Sequence, residues 1–286
     1  FARKNIGFLY AIRHGAQVIF DFDDDNELKL EQAGMQRMAP LPEFLENVRV
    51  AKVAPSSLVQ RVFNHHYLMG AAVEGETWPR GFPLEHVKTI STRGAVERQE
   101  ANFSMNRIGV LQSTADHDPD VDAVHRMTRP LPFNFLSSEG TGEGPVVVPL
   151  GVYAPYNAQA SVHTAAAMWA TLLPMTVAGR VSDIWRSYFA ERIFKRLGLH
   201  VVFLPSRVVQ NRNAHEYLAD MDAEADLHFK SGKLLEFLTT WEEDGSARSV
   251  PEAMERLWVA LFERSYIELE DVMMMQRWLK ALEASG

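Results

Sequence analysis

The spacing of hydrophobic and polar positions divides the chain near residue 213. Before this point, short apolar runs bounded by turn residues predict buried strands. These runs are residues 17–22, 108–112, 146–148 and 200–204, with a weaker one at 48–53. After this point, apolar residues recur at helical spacing and predict helices. These helices span residues 214–228, 231–242, 251–264 and 268–284.

Helical patterns also lie between the predicted strands. They cover residues 3–16, 164–173 and 182–197. Gly15 and Gly198 stand where helix C-terminal caps are expected. A helix, a glycine, a buried strand and a polar turn follow one another as in an α/β layer. We therefore predict an α/β domain over residues 1–212 and a helical C-terminal extension over residues 213–286.

Composition narrows the classes of function. The 286 residues include 29 basic and 37 acidic side chains, and the net charge of −8 argues against a nucleic-acid-binding surface. Cysteine is absent, which excludes disulfides and thiolate metal sites. No apolar run approaches the roughly 18 residues of a membrane span, and no signal peptide is recognisable. Because the chain opens on Phe1 and enters a helical pattern at once, we expect it to be a piece of a longer protein.

The first apolar run leads directly into three aspartates, Asp23, Asp24 and Asp25. Aspartate is a poor strand former, so these residues are expected where the strand ends. Carboxylates about 5 Å apart repel each other by about 3 kcal/mol at an effective dielectric constant of about 20. Water or a divalent cation can offset this repulsion. The residues thus predict either a solvated acidic turn or one side of a metal site.

A basic helix start, a helix and a strand that ends in D-D-D resemble the core of GT-A glycosyltransferases. The resemblance implies a GT-A-like, Rossmann-like nucleotide-sugar-binding fold and a Mn²⁺ or Mg²⁺ ion, since both ions suit carboxylate and phosphate ligands. It implies donor-binding roles for Arg3, Lys4, Asn5, Asp23, Asp24 and Arg212. It implies that the metal ligands are Asp23, Asp25 and His215. An exposed basic cap is the alternative interpretation of the helix start.

Six motifs in fixed order narrow the resemblance and extend it over nearly the whole chain. They are RKNIGFLYAIRHGAQVIFDFDDDNEL, TWPRGFPLE, DPDVDAVHRMTR, YAPYNAQ, SDIWRSYFAERI and RNAHEYL. Together they resemble the STELLO family of glycosyltransferases. The acidic turn and the D-I-W helix are also distantly similar to the UDP-arabinopyranose mutase, or reversibly glycosylated polypeptide, family. That family has D-D-M-W at this helix, whereas this chain has S-D-I-W at residues 182–185, with Ser182 in place of the first aspartate.

The resemblance also implies what lies outside this chain. Family members carry an earlier nucleotide-binding segment before R-K-N, so we expect the fold here to lack its N-terminal strands. We expect this piece alone to bind UDP weakly. The resemblance implies the Golgi lumen as the location, with the membrane anchor outside these residues.

Asp183 is the candidate catalytic residue. The resemblance implies a general base at the start of this helix, which would take the proton of the attacking acceptor hydroxyl. An N-cap or first-turn role for the same carboxylate is the alternative. His215 is either a metal ligand or a helix-start histidine without a metal. The neighbouring pair His65 and His66 is a weaker metal candidate, because adjacent residues of an extended chain point to opposite sides.

A further group of residues is predicted on the acceptor side, where aromatic and polar side chains suit a sugar. Its members are Trp78, Arg80, Asp120, Asn157, Trp185 and Arg186. Core packing is the alternative for both tryptophans. Helix capping is the alternative for two of the three aspartates at 118, 120 and 122. The apolar residues after 213 predict core or partner packing.

The sequence therefore predicts a metal-dependent, hexosyltransferase-like enzyme. It would move a sugar from a nucleotide donor, UDP-linked by resemblance, to a carbohydrate or glycan acceptor. One alternative is a weak or inactive relative that scaffolds a polysaccharide-synthase complex. The other is a UDP-sugar mutase, which needs no acceptor. A second copy of the chain or a polysaccharide synthase is the protein partner that we expect.

Overall fold

The computed structural model describes residues 2–29, 43–46, 48–51, 61–71, 76–88, 96–98, 103–135, 144–213, 215–241 and 249–284. Within these residues the chain forms a mixed sheet covered by helices. The strands are β1 (Val18–Phe22), β2 (Asn26–Leu28), β3 (Phe44–Leu45), β4 (Arg49–Ala51), β5 (Val96–Arg98), β6 (Phe103–Ser104), β7 (Ile108–His117), β8 (Val146–Val147), β9 (Ala160–Thr164) and β10 (His200–Gln210). The helices are α1 (Ala2–Arg13), α2 (Ala123–Thr128), α3 (Gly179–Leu197), α4 (Tyr217–Ala223), α5 (Ala225–Thr240), α6 (Val250–Glu263) and α7 (Leu269–Glu283).

Eight strands join in one sheet, in the order β1-β9-β7-β10-β8-β4-β5, with β2 paired to β10. The other two strands, β3 and β6, pair with each other. β7 and β10 form a parallel pair, and β9 is antiparallel to both β1 and β7. β1, β7 and β10 therefore run in one direction, and their carboxyl ends lie at the same end of the sheet. In α/β sheets this is the end at which ligands bind.

The predicted α/β class is confirmed, but two predicted strands are too short. β7 extends to His117 and β10 to Gln210. Nearly every position of β7 is buried, because both faces of the strand are covered. Its last residues are polar although they are buried, so hydrophobicity alone does not predict that the strand continues. In β10, Pro205 marks the predicted end, but a register shift between Leu204 and Val208 accommodates it.

The predicted helix α1 and both glycine caps are confirmed, since Gly15 and Gly198 have φ angles of 80° and 68°. The predicted helix at 164–173 is a 3₁₀ helix, Ala165–Thr171. α3 begins earlier than predicted, with Ala178 as its N-cap residue and no acid in its first turn. The capping interpretation of Asp183 is therefore wrong.

Capping explains only one of the aspartates before α2. The Asp122 carboxylate accepts a hydrogen bond of 2.8 Å from the backbone N–H of His125 and caps the helix. Asp118 and Asp120 instead pair with arginines, Arg126 and Arg80. The prediction that two of the three are caps is wrong, because guanidinium groups use those carboxylates.

The C-terminal helices are confirmed, with one boundary moved. The first break falls at Glu224, whose buried carboxylate accepts a 2.7 Å hydrogen bond from the N–H of Ala123. These helices pack on α3 within one apolar cluster, in which the Trp185 and Tyr266 rings lie 5.7 Å apart. The division at residue 212 stays a prediction. Among the described residues, no helix is both long and apolar enough to cross a bilayer.

Candidate functional site

The predicted polar residues gather where β1 ends. The acidic turn follows β1, residues 157–159 precede β9, and Asp183 lies one turn into α3. β9 is the direct partner of β1, so the register pairs Phe22 with Ala160 and brings the two segments together. Two ion clusters form at this point.

The first, which we call the open cluster, consists of Lys4, Asp21, Asp23 and Arg186. The Lys4 ammonium donates hydrogen bonds of 2.8 Å to one oxygen of Asp21 and 2.8 Å to one oxygen of Asp23. It donates a third bond, of 2.9 Å, to the carbonyl oxygen of Ala158. The second oxygen of Asp21 lies 3.9 Å from Arg186 and has no hydrogen-bond partner among the described residues.

Burial controls the protonation of this cluster. It raises the pKa of Asp23 to about 6, an effect that the Lys4 charge opposes and that Asp183 and Asp21 reinforce. Burial likewise raises the pKa of Asp21, against the charges of Arg186 and Lys4. For Lys4, burial opposes the charged form, but the two aspartates outweigh it and raise the pKa. The side chains of Lys4 and Asp23 remain 30% and 41% exposed, so solvent and a ligand can reach them.

The second, the closed cluster, consists of Arg80, Asp120, Asp183 and Asn157. Arg80 donates to both oxygens of Asp120, at 2.8 and 3.0 Å, and to both oxygens of Asp183, at 3.0 and 2.9 Å. Asn157 donates a further bond of 2.7 Å to Asp120. A guanidinium presents its donors as a rigid fork that matches two carboxylates in this way. Arg80 and Asp183 are buried, and the Asp120 side chain is 16% exposed.

Charge pairing outweighs burial in the closed cluster. Burial alone would raise the pKa of Asp120, but the Arg80 charge and its hydrogen bonds hold that pKa below its usual range. The loop that carries Arg80 packs closely on α3. Gly81 has a φ angle of 85°, and a Cβ atom there would lie 2.3 Å from a side-chain carbon of Ile184. Glycine is therefore required at this position.

Ala158 joins the two clusters. Its carbonyl accepts from Lys4, and its N–H donates a 3.1 Å bond to Asp183. Asp183 thus accepts hydrogen bonds from Arg80 and from the backbone. Asp183 lies near the acidic turn, as the sequence predicts. Its carboxylate is already hydrogen-bonded to Arg80 and Ala158.

A narrow polar cleft lies beside the closed cluster. Its polar lining includes His65, His66, Arg80, Gln112, Asp120, Asn157 and Gln159. Gln159 donates to Asn26 at 3.1 Å and to Gln210, and Gln210 donates to Asp25 at 3.1 Å. This amide chain connects the cleft to the acidic turn and to the end of β10.

The predicted metal ligands do not form a preassembled set. Asp23 pairs with Lys4, Asp25 accepts from Gln210, and His215 lies 3.3 Å from Asp220. Over the described part of the chain, no three His, Asp or Glu side chains are placed to hold a metal ion together. The Lys4 ammonium lies between carboxylates at the position where a cation would be expected. The residues present do not fit a three-ligand metal site, and Mn²⁺ or Mg²⁺ stays a prediction.

Only some of the predicted donor-binding residues lie together in the structure. Arg3 and Asp24 are exposed, whereas Asn5 is buried and exchanges two 2.9 Å hydrogen bonds with the backbone of Leu173. Arg212 lies 3.6 Å from Asp220. Burial and the charges of two other arginines lower the Arg212 pKa to about 10. Lys4 and Asp23 are the members of this group that the structure brings into direct contact.

Only some of the predicted acceptor-side residues lie together as well. Arg80, Asp120 and Asn157 meet in the closed cluster. Trp78 is buried and donates a 2.7 Å bond to Asp122, and Trp185 is buried in the apolar core. Neither tryptophan offers an exposed ring face to a sugar in this structure.

Two contributing residues were missed from the sequence. Asp21 shares the buried face of β1 with Ile19, so the period of two could have identified an acid that needs a buried partner. Gln210 lies beyond the proline at which the strand was predicted to stop. Arg186 was assigned to the acceptor side, whereas it lies beside Asp21 and over the Tyr156 ring.

Comparisons with known proteins agree with the motifs. The model of the family described as STELLO glycosyltransferases matches residues 180–286, from the first turn of α3 to the end of the chain. Over 288 aligned residues, the chain is 28% identical to two Arabidopsis thaliana proteins, "Probable glycosyltransferase STELLO2" and "Probable glycosyltransferase STELLO1". Each alignment covers 100% of this chain and 36% of the relative, so the chain spans about a third of the length of these relatives.

Proposed function

We propose, from the similarity of the chain to the STELLO glycosyltransferases, that the junction of its open and closed clusters is a sugar-transfer site. The donor is a nucleotide sugar, UDP-linked, and the acceptor is a carbohydrate hydroxyl. One observation carries the proposal. Two charged clusters meet at Ala158, where β1 ends, beside a narrow polar cleft. Small-molecule sites have this combination of concavity and few converging polar groups.

In the proposed reaction, the bond between the sugar anomeric carbon and the diphosphate oxygen breaks. A new bond forms from that carbon to the acceptor oxygen, the diphosphate leaves with the electron pair, and the acceptor proton passes to a carboxylate. Asp183 is our candidate for that carboxylate, because Arg80 and Ala158 hold it in one orientation. Asn157 would orient the acceptor, and the open cluster would face the diphosphate.

Similarity to the STELLO glycosyltransferases also supports a proposal about the fold and the location of the protein. We propose a GT-A-like arrangement, supported by the D-x-D turn after β1 and by the parallel direction of β1, β7 and β10. A role in the Golgi lumen and the activity of the whole protein belong to the proposal too. They rest on similarity to relatives of which this chain spans 36%.

Calorimetric titration of UDP into the full chain tests the donor site. We expect Asp23→Asn to weaken UDP binding about tenfold, because the exposed Asp23 carboxylate would accept a charge-assisted hydrogen bond from a ribose hydroxyl. Lys230→Met is the matched control, because its ion pair with Asp226 lies on the surface of α5. Consumption of a panel of UDP-sugars should fall by about 10²-fold or more in Asp183→Asn. No UDP binding and no UDP-sugar consumption by the unaltered chain would overturn the proposal.

A second candidate function, scaffolding of a polysaccharide-synthase complex, is favoured by one observation. Helix α4 exposes Tyr217, Leu218 and Met221 by 42, 71 and 38%. An exposed apolar patch of this kind is typical of interaction surfaces. For a scaffold, Leu218→Asp would abolish capture of the synthase while Asp183→Asn left it unchanged. For an enzyme alone, Asp183→Asn would abolish UDP-sugar consumption, while Leu218→Asp would leave it unchanged.

A further inference from the structure

The Lys4 side chain lies where carboxylate and carbonyl oxygens converge. Its ammonium group has three N–H donors and no acceptor. All three donors are used, toward Asp21 at 2.8 Å, Asp23 at 2.8 Å and the carbonyl of Ala158 at 2.9 Å. Two carboxylates and a carbonyl are also the oxygen ligands that Mg²⁺ and Mn²⁺ take in proteins. The lysine thus occupies the position of such an ion.

The four charges of the open cluster sum to zero. Asp21 and Asp23 contribute two negative charges, and Lys4 and Arg186 contribute two positive charges. Asp21 is 2% exposed, so its charge requires partners within the protein. A divalent ion at the same oxygens would lie beside the ammonium and be repelled by it. Metal binding and the observed lysine position therefore exclude each other.

We infer that Lys4 is the built-in cation of this site and that the donor diphosphate is bound without a divalent metal. The inference rests on the proposed donor site for its role, but the cation position can be tested without a nucleotide. When a diphosphate binds, the ammonium keeps its bonds to Asp21 and Ala158. It exchanges the Asp23 oxygen, whose side chain is 41% exposed, for a phosphate oxygen. The Asp23 bond is the exchangeable one because only that carboxylate is open to solvent.

Binding of Mn²⁺ alone, followed by electron paramagnetic resonance of the free ion, tests the cation position. The unaltered chain should bind Mn²⁺ no better than Lys230→Met, the surface-lysine control. Lys4→Met removes the charge at similar length and should bind Mn²⁺ about tenfold more tightly, because the freed oxygens become ligands. Mn²⁺ binding by the unaltered chain that Asp23→Asn abolishes would overturn the inference.

Binding of UDP in EDTA or in Mn²⁺ tests the role toward the diphosphate. The unaltered chain should bind UDP equally in both conditions. Lys4→Met should lose about tenfold in EDTA and recover in Mn²⁺, while Lys4→Arg keeps the charge and should bind UDP in EDTA. UDP binding by the unaltered chain only in Mn²⁺ would overturn the inference.

These two experiments separate the inference from the proposed function. If UDP binds in neither condition, the donor proposal fails, and the Mn²⁺ experiment still decides whether Lys4 holds the cation position. If Lys4→Met does not fold, as judged by its thermal melt, the measurements on the unaltered chain and on Lys4→Arg decide both points.

Discussion

The open and closed clusters contain the same kinds of charged groups but differ in how completely these are paired. In the closed cluster, Arg80 satisfies two buried carboxylates, and Asn157 and Ala158 supply further donors. In the open cluster, Asp21 keeps one oxygen without a hydrogen bond, and Asp23 is exposed enough to exchange its partner. The contrast assigns ligand exchange to the open cluster, whereas Arg80 in the closed cluster holds Asp183 in a fixed orientation.

The difference has an electrostatic consequence. Arg80 holds the pKa of Asp120 below its usual range, so Asp120 stays charged at any physiological pH. Burial raises the pKa of Asp23 to about 6, so its carboxylate gains or loses a proton when the pH changes near that value. Strongly perturbed groups such as Asp23 mark functional sites, whereas the pairing of Asp120 with Arg80 serves to hold the guanidinium in place.

The largest expected effect comes from breaking the closed cluster. Arg80→Met leaves Asp120 and Asp183 buried without their cation, and removal of one partner from a buried pair costs about 3–5 kcal/mol. Urea denaturation of the variant and of the unaltered chain measures this loss. Lys230→Met, which breaks an exposed pair four residues apart in α5, should cost about 0.5 kcal/mol or less. A similar small loss in Arg80→Met would show that the closed cluster is not a support.

Acid should destabilise the fold through its buried histidines. Burial lowers the pKa of His65 and of His125 to about 3, so both are neutral when folded and charged when unfolded below the usual value of about 6.5. The unfolded state then binds more protons, and stability falls as the pH drops through 6.5. Two such histidines should cost about 2.5 kcal/mol between pH 7 and 5.5.

Urea denaturation at the two pH values measures this cost. His65→Gln removes one titrating group and should reduce the measured loss by about 1.2 kcal/mol. The comparison between variant and unaltered chain cancels the carboxylates that titrate in the same range. An equal loss in both proteins would assign the acid sensitivity to other groups.

The smallest expected effect comes from the open cluster. Asp23→Asn removes one partly exposed carboxylate, while Asp21 and Ala158 still hold the lysine. Partly exposed ion pairs contribute about 0–1 kcal/mol, so stability should change by no more than about 1 kcal/mol. Thermal melts check this expectation. A loss as large as that of Arg80→Met would erase the distinction between the two clusters.

The sequence predicts the elements well wherever one face of an element is buried. α1, β1 and the C-terminal helices follow from periodicity, and the two glycine caps follow from position. β7 and β10 are predicted too short, because both faces of a central strand are covered and polar residues there bond to one another. Periodicity contains no information about such internal pairs.

Prediction of the site is less complete than that of the fold. The motifs locate Lys4, Asp23, Arg80 and Asp183, which the structure brings to one junction. They do not predict which cation pairs with which acid, since that depends on the register of β1 against β9. A shift of one residue would turn Asp21 to the opposite face of the sheet. Asp21 was overlooked because its role is set by this long-range pairing.

Helix α3 connects the two halves of the molecule in a way that constrains their evolution. One part of it carries Asp183 and Arg186 into the site, while Trp185 and Phe189 pack against Tyr266 and Trp258 of the C-terminal region. A substitution on this helix therefore has to be tolerated by two environments at once. We expect residues of α3 and of the C-terminal helices to covary among relatives, as the sides of one inherited interface.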